Sequence, residues 1–150
     1  MPLRNVIPMT TEQANQLLEA SYHFQNERKV YPNLAAGVDV VSANADWTYG
    51  AYATVVPANT INNDFHIVAV VIEACDRDAV FQLELYKGVT DKIVTAVRFT
   101  VDQGFYGNMV YVLGSGEIDA DSQVEARVAS NNGAAEQATV TISVVYYEEV

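Results

Sequence analysis

The 150-residue chain carries 8 Lys and Arg against 19 Asp and Glu, a net charge of -11, and half of its residues are hydrophobic. That charge repels phosphate backbones and anionic lipid, which excludes nucleic acid and membrane surfaces as partners. The lone Cys75 excludes an intramolecular disulfide framework, and a domain of this length buries roughly 70% of its unfolded surface without such staples.

The start, MPLRNVIPMTTEQ, has neither an apolar signal core nor a basic flank, so synthesis in a cytosol is expected. Residues 1 to 9 hold two prolines and no pattern, and read as an arm. From Thr11 the spacing places Ala14, Leu17, Leu18 and Tyr22 on one stripe, with Glu12 in the first turn and Arg28 and Lys29 at the end. This predicts an amphipathic helix over 11 to 27 with charges matched to its dipole. Tyr31 and Pro32 end the pattern, and VYPNLAAG reads as an extended linker. The expected division is therefore an arm and helix over 1–34 and a β domain over 37–150.

After Gly37 the period is two. VDVVSA and WTYGAYATVVP open the series, and no proline follows Pro57, which leaves every later backbone N–H free to join a ladder. Between Phe65 and Ala74 the run Ile67 to Ile72 is apolar without a break, which predicts a central strand dry on both faces. One face belongs on the domain's core, and the other needs a second element or a second copy of the chain. CDRDA is expected to turn this strand into a hairpin with VFQLELYKG, where Phe81, Leu83 and Leu85 face one way. KIVTAVRFTV points Ile93, Val97, Phe99 and Val101 inward. MVYVL is apolar on both faces; SQVEARVAS sets Val124, Ala126 and Val128 against Gln123, Glu125 and Arg127. ATVTISVVYYE closes with Val140, Ile142, Val144 and Tyr146 on one side.

About eight strands at spacings of roughly 10 to 15 residues predict an all-β, antiparallel two-sheet sandwich. A jelly roll is the first choice of topology over an immunoglobulin-like Greek key, because no Cys and Trp pair of the immunoglobulin type is present.

The runs RKVYPNLAAGVDV, WTYGAYATVVPANTI, FQLELYKG, GEIDADSQVEARVAS and VTISVVYYE, in that order, resemble small virion proteins of tailed bacteriophages that decorate the head or form its short fibres. The likeness runs from about Arg28 to Glu148, and its motifs are strand and turn patterns that specify fold better than task. It implies a β-sandwich assembled as a homotrimer, an N-terminal segment (Met1 to Leu34) docked on the major capsid protein lattice, and a place on the capsid surface after synthesis in the host cytoplasm. It carries no catalytic residues. The residues expected to make docking or interface contacts are Leu17, Leu18, Tyr22, Val68 and Val70.

Chemistry is sparse. Glu117, Asp119 and Asp121 alternate along GEIDADSQ, as in some calcium loops, but the Gly and distal Glu of an EF-hand are missing, and a solvated strand edge is the preferred reading. Cys75 has no base near it in sequence, and His23 and His66 are far apart with no Cys or paired His, so neither a nucleophile nor a zinc site is expected. No cofactor, metal or enzymatic activity is predicted. Trp47, Tyr49, Tyr52, Phe105, Tyr106, Tyr146 and Tyr147 fall in loops or at strand ends, where sugar-binding sandwiches place stacking platforms. The alternative function is accordingly a carbohydrate- or receptor-binding module using Trp47, Tyr49 and Tyr106. No loop combines several rings with Asp and Asn, so filling of the sandwich ends and of subunit contacts is the preferred role for these aromatics.

Overall fold

The structure, a computed structural model, describes residues 10–16, 27–33, 36–131 and 136–149. Residues 11–16 are helical. Thr10 caps this turn, its Oγ1 accepting from the Gln13 backbone N–H at 3.1 Å while the Gln13 side chain accepts from the Thr10 N–H at 3.0 Å. Leu17, Leu18 and Tyr22, three of the expected docking residues, lie outside the described residues.

Among the described residues ten strands follow: β1 (Lys29–Tyr31), β2 (Val38–Val41), β3 (Ala53–Val56), β4 (Phe65–Cys75), β5 (Ala79–Lys87), β6 (Asp91–Val101), β7 (Met109–Val112), β8 (Glu117–Ile118), β9 (Val124–Ser130) and β10 (Thr139–Glu148). They form two antiparallel sheets. In the first, β4 and β10 are central; β1 and β2 lie end to end along β10, and β7 and β8 end to end along β4. The second runs β3, β9, β5, β6. The pairs are nested: β5 with β6, β4 with β7 and β8, β3 with β9, and β2 with β10. One long hairpin folded over into two sheets gives this order, which is the jelly roll rather than the immunoglobulin Greek key.

The periodicity explains the core. Leu83, Leu85, Phe81, Val124, Ala126, Val128, Val140, Ile142 and Val144 are all fully buried between the sheets, each from an inward parity legible in its strand. On β6, Phe99 and Val101 are buried while Ile93 and Val97 pack against the core from its margin.

Three expectations need correction. β4 and β5 belong to opposite sheets, so the 76–78 turn is a corner between sheets and not a hairpin tip; the hairpin is β5 with β6. Lys29–Tyr31, read as the end of a helix and the start of a linker, pair with Val144 to Tyr146 as an edge strand, so the sheet begins before residue 34. Val70 does not face outward. β10 pairs Val145 with Ala69 but Tyr146 with Ile67, which leaves Val68 as an extra residue, and the bulge reverses the side on which the residues from Ala69 to Ile72 fall. Phe65 and Ile67 point inward before it, Val70 and Ile72 after it, and all four are fully buried. Val68 itself is half-buried at the bulge.

The run from Ala69 to Ile72 is buried on both sides, as its composition demands, yet the chain closes the outward pair by itself: Ala69 and Val71 are less than a tenth exposed. The next row out is open. Ala69 pairs with Val112 and Val71 with Val110, and these β7 valines are 86% and 59% exposed.

Ile142→Ala, at the centre of β10, is expected to lower stability by about 2–5 kcal/mol in denaturant unfolding, because it opens a cavity in a closed core. Val112→Ala should change it by no more than about 0.5 kcal/mol. Equal effects would show that the inward and outward rows are misassigned.

Candidate functional site

Three surfaces concentrate the chemistry-bearing residues. The first is the outer face of the second sheet. Residues 47–50 run beside β9 beyond the end of β3: the Trp47 N–H donates to the Ser130 carbonyl at 2.7 Å and the Gly50 N–H to the Val128 carbonyl at 3.1 Å. Gly50 is required there, since a Cβ would lie 1.8 Å from the Val41 carbonyl oxygen. This path folds Tyr49 and Tyr52 over the polar positions of β5 and β9. The Arg127 guanidinium lies 4.3 Å from the ring centre of Tyr49, 5.1 Å from that of Tyr52 and 5.0 Å from that of Tyr86. It also donates to Glu84 Oε1 at 3.0 Å through Nε and to the Tyr86 hydroxyl at 2.8 Å. Lys92 closes a second ion pair on Glu84. Gln82 bridges the Tyr49 hydroxyl and Arg98, whose guanidinium covers the Trp47 ring at 4.9 Å.

This face is saturated by its own groups. Glu84 and Glu125 are only 3% exposed, a burial that strand alternation by itself does not reveal. Trp47 and Tyr49, two of the three expected ligand contacts, each have a ring face occupied by an arginine. The alternation of charges with Tyr86, and the tyrosine pair in YGAY, are the signals from which a closed cation–aromatic cluster was legible.

The second surface lies at the end where β4 begins and β10 finishes. His66 Nε2 and Glu149 Oε1 are 2.6 Å apart, and the His66 ring stacks on Tyr147 with centroids 4.9 Å apart. The ligating atoms of His66, Glu117 and Glu149 lie within 4.8 Å of one another, as do those of Asp64, Glu117 and Asp119, so either triad has the spacing to hold a cation. A hydrogen bond and the charge of Glu149, then burial and Asp64, push the Glu117 carboxyl above its ordinary range, against the pull of His66. The set differs from the one read in GEIDADSQ. β8 ends at Ile118, and the chain turns there, so the three carboxylates do not share one side of a strand. Glu117 faces His66 and Glu149, and Asp119 pairs with Lys87 at 2.7 Å. Asp121 sits in the left-handed region at φ 63° with its N–H on the Ile61 carbonyl. Asp64 with His66, and Glu149, come from segments distant from GEIDADSQ, which no local spacing reveals.

The third surface is the opposite end, where the β6–β7 loop, residues 102–108, carries Tyr106, the third expected ligand contact. Cys75, the last residue of β4, is half-buried, and burial pushes its thiol up, consistent with a small packing residue. Among the described residues no helix is long and apolar enough to cross a membrane.

No protein-family model matches the sequence, and no curated protein matches it. Several solved structures align with the chain at low sequence identity. A CBM4 structure is 12% identical with a TM-score of 0.41 over 81% of this chain and 94% of that one. An infectious bursal disease virus (Gx strain) structure is 13% identical with a TM-score of 0.37, covering 83% of this chain; the alignment spans about a third (33%) of the viral chain. A pentameric capsid protein isolated from metagenomic phage sequences is 17% identical with a TM-score of 0.30, over 95% of this chain and 77% of that one.

The Glu84 cluster has a measurable pH signature. Burial alone would raise its carboxyl, but the hydrogen bonds and charges of Lys92 and Arg127 outweigh it and hold the group below its ordinary value of 4.5. A carboxyl with a depressed folded-state value stabilises fully above about pH 4.5, and that stabilisation is lost as pH falls toward the folded value. Glu84→Gln is therefore expected to cost about 1–3 kcal/mol at pH 7, with the gap to wild type closing as unfolding is followed into acid. A gap that is constant with pH would show that the charge of Glu84 is not what the cluster holds.

Proposed function

We propose that the chain is a structural protein of a tailed-bacteriophage virion, a capsid decoration or head-fibre component that works by self-association and by docking on the major capsid lattice. The observation that carries this reading is the outward row of β7. Val110 and Val112 extend the closed apolar row of Ala69 and Val71 to the margin of the sheet, where they are exposed. Among the described residues no strand pairs with the outer side of β7. A bare edge with apolar side chains is a liability unless another chain covers it. A head-to-tail contact repeated about a three-fold axis closes into a ring and covers one such edge per subunit. The resemblance of the ordered strand and turn patterns to phage head proteins supports the same assignment, with the residues before β1 (1–26) as the docking segment and Leu17, Leu18 and Tyr22 as its apolar contacts.

Light scattering at micromolar concentration should return the mass of a homotrimer. Val112→Asp should give a folded monomer, because the side chain is open in the single chain, whereas Val70→Asp should fail to fold, because it buries a charge in the core without a partner. A wild-type mass of one chain would overturn the assembly reading.

Docking is tested by deletion of residues 1–26, which keeps β1 on β10. The truncated protein should retain its β-sheet circular dichroism and its trimer mass but no longer co-sediment with cognate capsids. Undiminished co-sedimentation would move the docking contacts out of this segment.

A further inference from the structure

The β6–β7 loop is shaped and held in a way that assembly through β7 does not use. Phe105 packs against the core, and the Gly104 N–H donates to Asp78 Oδ1 at 2.9 Å, so the loop is tied to the sandwich at two points. Gln103, Gly104 and Gly107 have φ of 59°, 94° and 140°. A Cβ on either glycine would meet nothing within 4 Å, so these glycines serve the backbone conformation and not a close approach. With Phe105 turned inward, Tyr106 is turned out and is 86% exposed.

At the foot of this ring lies an open cleft of about 400 Å³ whose lining includes Thr100, Asp102 and Asn108. A second cleft of about 330 Å³ shares Thr100 and Asp102 and continues to Asp78 and Asn131. Both volumes fall in the range of small-molecule sites. The Asp102, Tyr106 and Asn108 side chains have no hydrogen-bond or ring partner among the described residues. The loop thus combines an open aromatic face with an uncommitted carboxylate and amide, the combination absent from the saturated cluster around Trp47 and Tyr49.

The chemistry narrows the ligand. Asp102 and Asp78, in a chain of net charge -11, repel anions. A single open ring makes a stacking platform and not the multi-ring cage that holds an organic cation. A flat, partly apolar ring bearing hydroxyl groups fits both features: its apolar face lies on an aromatic ring, and its hydroxyls pair with a carboxylate and an amide that act as acceptor and donor. We propose that the β6–β7 loop cleft binds a neutral saccharide, with Tyr106 stacking under one pyranose ring and Asp102 and Asn108 hydrogen-bonding its hydroxyls.

Isothermal titration of the full chain with neutral oligosaccharides of glucose, galactose and N-acetylglucosamine, alongside a sialylated oligosaccharide, tests the site. At least one neutral sugar should bind, and the sialylated one should bind more weakly. Tyr106→Ala should weaken the binding by about tenfold or more, with an unchanged thermal melt because the ring is 86% exposed; Trp47→Ala should leave it intact. Failure of all the neutral sugars, stronger binding of the sialylated sugar, or affinity retained in Tyr106→Ala would each overturn the proposal.

Discussion

The antiparallel pairing of β4 with β10 is the constraint on which the rest of the molecule depends. These strands occupy the middle of the first sheet, and every other strand of that sheet is paired to one of them. Their ladder slips twice, leaving Val68 and Glu73 as extra residues on β4. Each slip reverses the parity of the residues beyond it, because side chains alternate with a strict period of two. The first slip puts Val70 and Ile72 in the core. The same slip turns Ala69 and Val71 outward beside Val112 and Val110, so the open apolar row of β7 continues a row whose side is decided inside the sheet. The second slip places Glu73 where its carboxylate accepts from Ser143 at 3.0 Å and from the Gly37 N–H at 3.1 Å, which ties the entry of β2 to the sheet's centre.

The two sheets solve their outer faces differently. On the second sheet the polar face folds Tyr49 and Tyr52 over Glu84 and Arg127, and the buried charges are paired and hydrogen-bonded within the chain. Such a cluster holds its own geometry and leaves little for a ligand. The first sheet closes Ala69 and Val71 but not Val110 and Val112. Among the described residues, the margin of the first sheet and the loop at its end remain open to other molecules, and function has to be argued from such places, since a jelly roll hosts many unrelated tasks.

Strands whose two faces differ in polarity were legible without coordinates. The alternation in VEARVAS and TVTISVVYY fixes which residues of β9 and β10 are inward, and the absence of an immunoglobulin Cys and Trp pair points to the topology observed. The bulge at Val68 was not legible, because in a run of valine, alanine and isoleucine a change of face leaves no change in composition. The corner at 76–78 reads as a hairpin for a related reason: a polar turn between two strands does not say whether the second strand pairs with the first or crosses to the other sheet. Of the candidate sites, the loop around Tyr106 was visible as an aromatic in a glycine-rich turn. The meeting of Asp64, His66, Glu117 and Glu149 was not, since it joins three segments only through the pairing of β4 with β8 and β10.

On the proposed reading, the β4–β10 register leaves the β7 row as the surface that assembly covers. Hydrogen exchange read residue by residue, in dilute protein and at the concentration where the particle mass rises, tests it directly. The Ile72, Ile142 and Val144 amides should be protected in both states, and the Val110 and Val112 amides should gain protection only on assembly. Assembly without a change at β7, or ready exchange along β4 and β10 in the dilute chain, would contradict it.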